Sequence, residues 1–209
     1  MMRIGVIGAG NIGGTAARLF ADAGHEVVIS NSRGPETLRT EEGDGIRAGT
    51  VEEAAEFGEV VLVAIPFGER ETLPVDELSD ITVIDAMNYY PGRDGKIAEL
   101  EDDSTTSSEL LARHLDSSRI VKAFNTMEAG TLEEDGRRSG DHRRLVLFVA
   151  SDDELAKRTV MELIDEVGFD PVDTGELADG GRVQQPGSSI YGAELTNPEA
   201  REALGIDEH

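Results

Sequence analysis

The chain of 209 residues has no cysteine, only three lysines (Lys96, Lys122, Lys157) and four histidines, and each scarcity removes a class of chemistry. Without thiols there is no disulfide, no cysteine nucleophile and no Cys-ligated zinc or iron–sulfur centre, so any redox chemistry must come from a bound cofactor. Nineteen basic residues against 43 acidic ones leave a formal charge of −24, a balance that argues against nucleic acid and anionic membranes as partners. No apolar run approaches the roughly 18 residues of a membrane span, and Met1-Met2-Arg3 leads into glycine-broken sequence without a signal-peptide core. A soluble, cytoplasmic protein is expected. His25 precedes a strand, His114 falls on a helix, His142 lies in a charged loop and His209 is the last residue; none has a partner at triad or metal-ligand spacing. No catalytic side chain and no metal site is assigned.

What is present is a folding pattern. Acidity of this degree accompanies disorder when apolar residues are scarce, but here the acids are interspersed with runs such as VVLVAIP and RRLVLFVA. The carboxylate-rich surface suits concentrated salt, where the Debye length shrinks to roughly 3 Å at 1 M, or an ordinary acidic cytosolic protein. Residues 3–8 read as a buried strand. From Asn11, the positions Ile12, Ala16, Leu19, Phe20 and Ala23 recur on one helical face that ends at Gly24, and HEVVIS supplies a second strand. Thr50 and Glu53 form a capping box for a helix over 51–57, followed by strands over 60–66, 81–88, 119–125 and 143–150 and by a helix over 104–115. Ser151 with Glu154 predicts another capping box, for a helix whose stripe is Ala156, Val160, Leu163, Ile164 and Val167. Residues 130–143 read as a surface loop.

Strands and helices in alternation predict an α/β protein, a doubly wound parallel sheet of the Rossmann type over 1–168. A small turn-rich extension over 169–209 packs on the same globular unit, lining a site or covering a sheet edge. No internal repeat or linker divides the chain.

GAGNIGG sits where the first strand turns into the first helix. There Gly8 permits the tight turn, Gly10 admits a pyrophosphate against the backbone, and Gly13 lets helix and strand approach. An NAD site places an Asp or Glu at the end of the second strand to bind ribose hydroxyls, but this chain has Ser30-Asn31-Ser32-Arg33. Hydroxyl and guanidinium donors suit a 2′-phosphate, which points to NADP(H); the ordinary alternative is that Arg33 pairs with Glu36. At the carboxyl ends of later strands, Asn125 offers an amide for a nicotinamide carboxamide or caps a loop, Tyr89 and Tyr90 offer faces for a flat ring or pack on the surface, and Gln185-Pro186-Gly187 lies nearby in the same reading.

With SNSRGPE, VVLVAIPF, VIDAMNYYPGRDG, VKAFNTM and ELIDEVGFDPVDTGEL, most of the chain resembles the NADPH-dependent reductases of coenzyme F420 and the related NADPH-binding domain of the STEAP metalloreductases. The resemblance implies pyrophosphate contacts from Ala9, Gly10, Asn11 and Ile12, 2′-phosphate contacts from Ser32 and Arg33 beside Asn31, and a path along Ile65 and Pro66. It also implies a nicotinamide site near Asn88, Asn125 and Ala129. The implied activity is hydride transfer between NADPH and F420, with a flavin, a flavin-bound ferric complex or a small carbonyl compound as other acceptors. A non-catalytic NADPH sensor is the reading from another class. The partner is a small redox acceptor, and a homodimer is the assembly to test. Thr37 stands where the archaeal F420 reductases carry a Lys, and GGRVQQPGSSIYG departs from their deazaflavin-binding segment.

Overall fold

A computed structural model describes residues 1–38, 43, 45–136, 141 and 143–206, so His142 and His209 lie outside the described residues. β1 (Arg3–Ile7), α1 (Asn11–Asp22) and β2 (Glu26–Ser30) form the expected first unit. Gly24 ends α1 with φ +93°, a backbone state that costs a residue with Cβ. The chain continues through β3 (Ile46–Ala48), α2 (Val51–Phe57), β4 (Val60–Val63) and β5 (Thr82–Asp85). Two one-turn helices, α3 (Pro91–Asp94) and α4 (Ala98–Glu101), precede α5 (Ser107–His114) and β6 (Arg119–Lys122). Then come α6 (Ala129–Glu134), β7 (Val146–Ala150), α7 (Glu154–Glu166), β8 (Asp170–Gly175), α8 (Asp179–Val183) and α9 (Asn197–Leu204).

The sheet order is β3-β2-β1-β4-β5-β6-β7-β8, an α/β Rossmann-type architecture. Every pairing is parallel except β6 with β7, which is antiparallel. Alternate side chains of β4 enter different cores: Val60 and Leu62 join Phe20, Ile29 and Val160, whereas Val61 and Val63 join Ala54, Phe67 and Leu111. Both faces are therefore covered, as the unbroken apolar runs require. Because β1 adjoins both β2 and β4, the order reverses at its carboxyl end, and a crevice opens there.

Four expectations are corrected. The strands read as 60–66, 81–88 and 119–125 end at Val63, Asp85 and Lys122, and the last residues of each leave the ladder at the carboxyl edge of the sheet; Phe124, with φ +63°, breaks the third. The loop read over 130–143 begins as α6, anchored by buried Leu132. Ser151 does not cap α7, because its hydroxyl donates to the Ile120 carbonyl at 2.6 Å; Asp153 caps instead, its carboxylate accepting from the Ala156 N–H at 2.7 Å. Finally, the stretch after Gly168 is more than turns. It supplies the outer strand β8, and Ile190 and Ala200 close over Val146, Phe148 and Val172.

Candidate functional site

The carboxyl edge of the sheet carries a groove made of hollows that share walls. The largest, about 640 Å³, lies between Gly8, Asn31, Ser32, Val51, Ile65 and Leu73. A second, about 390 Å³, shares Gly10 and Pro66 with it and is closed by Ile12, Met87, Asn88 and Tyr90. A third, about 370 Å³, lies where Ala9, Gly10 and Asn11 face Ala129 and Gly130 at the start of α6.

The first end is shaped by backbone. Gly8 has φ +107° and donates its N–H to the Ser30 carbonyl at 3.0 Å, tying the turn to the end of β2. A Cβ on Gly13 would stand 1.8 Å from the Gly8 carbonyl oxygen, so the helix touches the turn without room for a methyl. A Cβ on Gly10 would meet nothing within 4 Å and would project into open space. No side chain caps α1 and its first turn holds no acid, whereas α2, α5, α7 and α9 each carry a glutamate in the first turn. In so acidic a chain, this leaves the positive end of the helix dipole and its first amides facing the groove. The donor set fits a pyrophosphate.

Beyond β2 the 31–37 turn is self-supporting. The Asn31 carbonyl oxygen accepts from the Arg33 N–H at 2.9 Å, its amide donates to the Thr37 hydroxyl at 3.0 Å, and Thr37 donates to the Gly34 carbonyl at 2.8 Å. Asn31 thus organises the turn, and Thr37, standing where the resemblance places a Lys, braces it. Ser32 and Arg33 are exposed, and among the described residues Arg33 forms no ion pair, with Glu36 or any other acid. Its guanidinium is available to an anion.

The other end is shaped by side chains. Asp85 and Lys122 are register partners on β5 and β6, both fully buried, with Lys Nζ 3.2 Å from the carboxylate. The same ammonium also reaches the Met87 carbonyl, and Asp85 accepts from the Ser108 hydroxyl at 2.6 Å and the Met87 N–H at 3.0 Å. Burial pushes the Lys122 ammonium below its usual value, against the pull of Asp85. Three residues further on, the segments leaving β5 and β6 are joined again. The Asn88 amide donates to the Asn125 carbonyl at 2.9 Å, and the Asn125 amide donates to the Asn88 side-chain oxygen at 3.1 Å and to the Gln184 carbonyl at 2.8 Å. Asn125 is 4% exposed, and its Oδ1, like Gln184 Oε1, has no protein donor. A buried acceptor in that state calls for a hydrogen-bond donor from a ligand or solvent.

Tyr89 and Tyr90 part company. Tyr89 packs edge-on against Phe67 at 6.0 Å and donates to the Gly95 carbonyl, outside the hollow. Tyr90 lines the hollow, and its hydroxyl lies 2.5 Å from that of Tyr191. Arg93 lies over the Tyr90 ring at 5.0 Å and donates to the Asn88 carbonyl. Although burial opposes it, hydrogen bonds from Arg93 and from the Tyr90 and Gly68 N–H groups hold the Asp94 carboxyl below its ordinary value. Burial, and then the Tyr90 hydroxyl, raise the Tyr191 phenol.

Sequence reasoning missed Tyr191, Gln184, Arg93 and the Asp85–Lys122 pair. Gln185, expected at the pocket, instead accepts from the Ser107 N–H at the start of α5. A buried-strand Lys beside a strand Asp was the one signal available. His25 is buried with structural partners, its Nδ1 accepting from the Met2 N–H at 3.1 Å and its Nε2 2.9 Å from the Glu166 carboxylate. Among the described residues no helix is long and apolar enough to cross a membrane, and no three His, Cys, Asp or Glu side chains gather to hold a metal.

Residues 3–89 match the family model of NADP oxidoreductases, coenzyme F420-dependent. The hypothetical protein SMa0349 from Sinorhizobium meliloti superposes with TM-score 0.82 at 32% identity, covering 94% of this chain and 96% of that one. Metalloreductase STEAP3 of Rattus norvegicus is 28% identical over 184 residues, 87% of this chain, which spans 36% of that protein. A protein of Arthrobacter sp. FB24 assigned as an F420-dependent NADP-reductase shares the fold, with TM-score 0.73 at 23% identity, covering 94% of this chain and 100% of that one.

Proposed function

Because the chain belongs to the family of coenzyme F420-dependent NADP oxidoreductases, we propose that it transfers hydride between NADPH and a deazaflavin of the F420 type. The observation that carries the reading is the single groove. It runs from an exposed Ser32-Arg33 pair, past the uncapped α1 N-terminus, to half-buried Asn88 and its buried partner Asn125. Arg33 and Ser32 would recognise the 2′-phosphate, and the amides of α1 beside Gly10 the pyrophosphate. Ile65 and Pro66 form the apolar wall between the two ends. The unpaired Asn125 Oδ1 would accept the carboxamide N–H and fix which face of the ring is presented. NADPH supplies the hydride; the protein's share is to hold two flat rings in contact and keep water out.

The test is anaerobic mixing of protein and NADPH with F420 and, in parallel, with FMN. Absorbance loss with F420 is the expected result. Turnover with FMN alone would transfer the assignment to a flavin reductase. Binding of NADPH with no turnover on either would make the protein a sensor.

A further inference from the structure

Tyr90 and Tyr191 are 101 residues apart in the chain, yet their hydroxyls meet at 2.5 Å on the wall of the Asn88 hollow. The directions of the hydrogen bonds around them can be assigned. The Asn88 amide nitrogen is fixed by the Asn125 main-chain carbonyl, which only accepts. That nitrogen also lies 3.3 Å from the Tyr191 hydroxyl, which therefore accepts from it. Among the described residues the Tyr191 hydroxyl meets no acceptor other than Tyr90, so its proton lies toward the Tyr90 oxygen. The O–H of Tyr90 is thereby left for the hollow, to which its side chain is open at 38% exposure. Over its ring lies Arg93, held in place by Asp94 at 2.7 Å and by the Asn88 carbonyl at 2.6 Å.

We propose that Tyr90 is the general acid of the reduction, with Tyr191 its positioning and proton-relay partner; this rests on the oxidoreductase reading above. Tyr90 gives its O–H proton to the ring nitrogen or carbonyl oxygen of the acceptor that gains electron density as the hydride arrives. NADPH loses a C–H bond and is oxidised, and the transferred hydrogen forms a new bond to the acceptor, which is reduced: C–H on a deazaflavin or carbonyl compound, N–H on a flavin, O–H on a quinone. The Tyr90 oxygen then takes the Tyr191 proton, and Tyr191 recovers one from solvent. One NADPH, one acceptor and one proton become NADP⁺ and the dihydro acceptor. The acceptor class follows: a deazaflavin, flavin, quinone or carbonyl that takes a hydride and a proton, and not a bare ferric ion.

The experiment uses wild type, Tyr90→Phe and Tyr191→Phe with NADPH and F420, and with FMN, a soluble quinone or a small carbonyl compound if F420 is not reduced. It records dissociation constants, single-turnover rates in H₂O and D₂O, and the pH profile. Tyr90→Phe is expected to slow hydride transfer about 100-fold and Tyr191→Phe about tenfold, with dissociation constants within about twofold of wild type. The solvent isotope effect of the wild type is expected to vanish in Tyr90→Phe. A Tyr90→Phe protein with wild-type rate and pH profile overturns the proposal, as does one whose binding weakens as much as its rate. Should that variant not fold, absence of a solvent isotope effect in the wild type, under conditions where deuterated NADPH shows hydride transfer to be limiting, overturns it equally. If the wild type reduces none of F420, FMN, a soluble quinone and a small carbonyl compound, the oxidoreductase reading fails and the role of Tyr90 falls with it.

Discussion

The two ends of the groove solve opposite problems with opposite materials. At the α1 end the ligand-facing surface is main chain: glycines without Cβ, amides without caps, and a turn that holds itself together through Asn31 and Thr37. At the β5–β6 end it is side chain, cross-linked by the Asp85–Lys122 pair and by reciprocal asparagine contacts. A pyrophosphate is recognised by charge and by many equivalent donors, so close approach matters most. A reacting ring must be held in one orientation, and that takes buried groups with few alternatives.

The contrast can be broken most severely at the buried pair. Lys122→Met strands the Asp85 carboxylate and is expected to lower unfolding free energy by about 3–5 kcal/mol, whereas adding Asp85→Leu recovers most of it; urea titration measures both. A loss below about 1 kcal/mol would make the rung ornamental. At the other end, Gly13→Ala drives a methyl against the Gly8 carbonyl and is expected to cost about 1–3 kcal/mol. Gly10→Ala should leave the melting temperature unchanged while NADPH affinity falls, because its Cβ occupies only the space assigned to phosphate; equal affinity in that variant would move the phosphate elsewhere. Arg33→Asp is expected to weaken NADPH by tenfold or more, the scale of one charged hydrogen bond of about 1.5–3 kcal/mol, and to spare NADH. Equal losses for the two nucleotides in fluorescence titrations would end the 2′-phosphate assignment.

The smallest effect is with pH. The folded value of Asp94 lies below its ordinary one, so its contribution to stability is complete above the ordinary aspartate range and is lost as pH falls through the lowered value. Denaturation midpoints followed into acid should decline less steeply in Asp94→Asn; parallel curves would deny Asp94 that share.

The main-chain end was legible in the sequence because its physics is local. Gly8, Gly10 and Gly13 lie within six residues, Ser32 and Arg33 come just after a strand, and the capping box at Thr50 reaches only to Glu53. The side-chain end was legible only in part. Asn88 and Asn125 were found as strand-end amides, but the third participant, Tyr191, comes from a segment whose place depends on β8. That strand carries Pro171 and Gly175 and alternates poorly, so its period is faint, and β3 is only three residues long. Ser151 shows a different limit: its spacing to Glu154 suits a cap, but a carbonyl on β6 claimed the hydroxyl first.

The double cross-link between β5 and β6 also sets a timescale. Amides of β5, paired to β4 and β6 and pinned at Asp85–Lys122, are expected to exchange hydrogen with solvent far more slowly than those of the exposed 31–37 turn, which can open by itself. On the proposed reading, the protein would meet the 2′-phosphate with a turn that can open by itself and hold the reacting ring on strands that cannot.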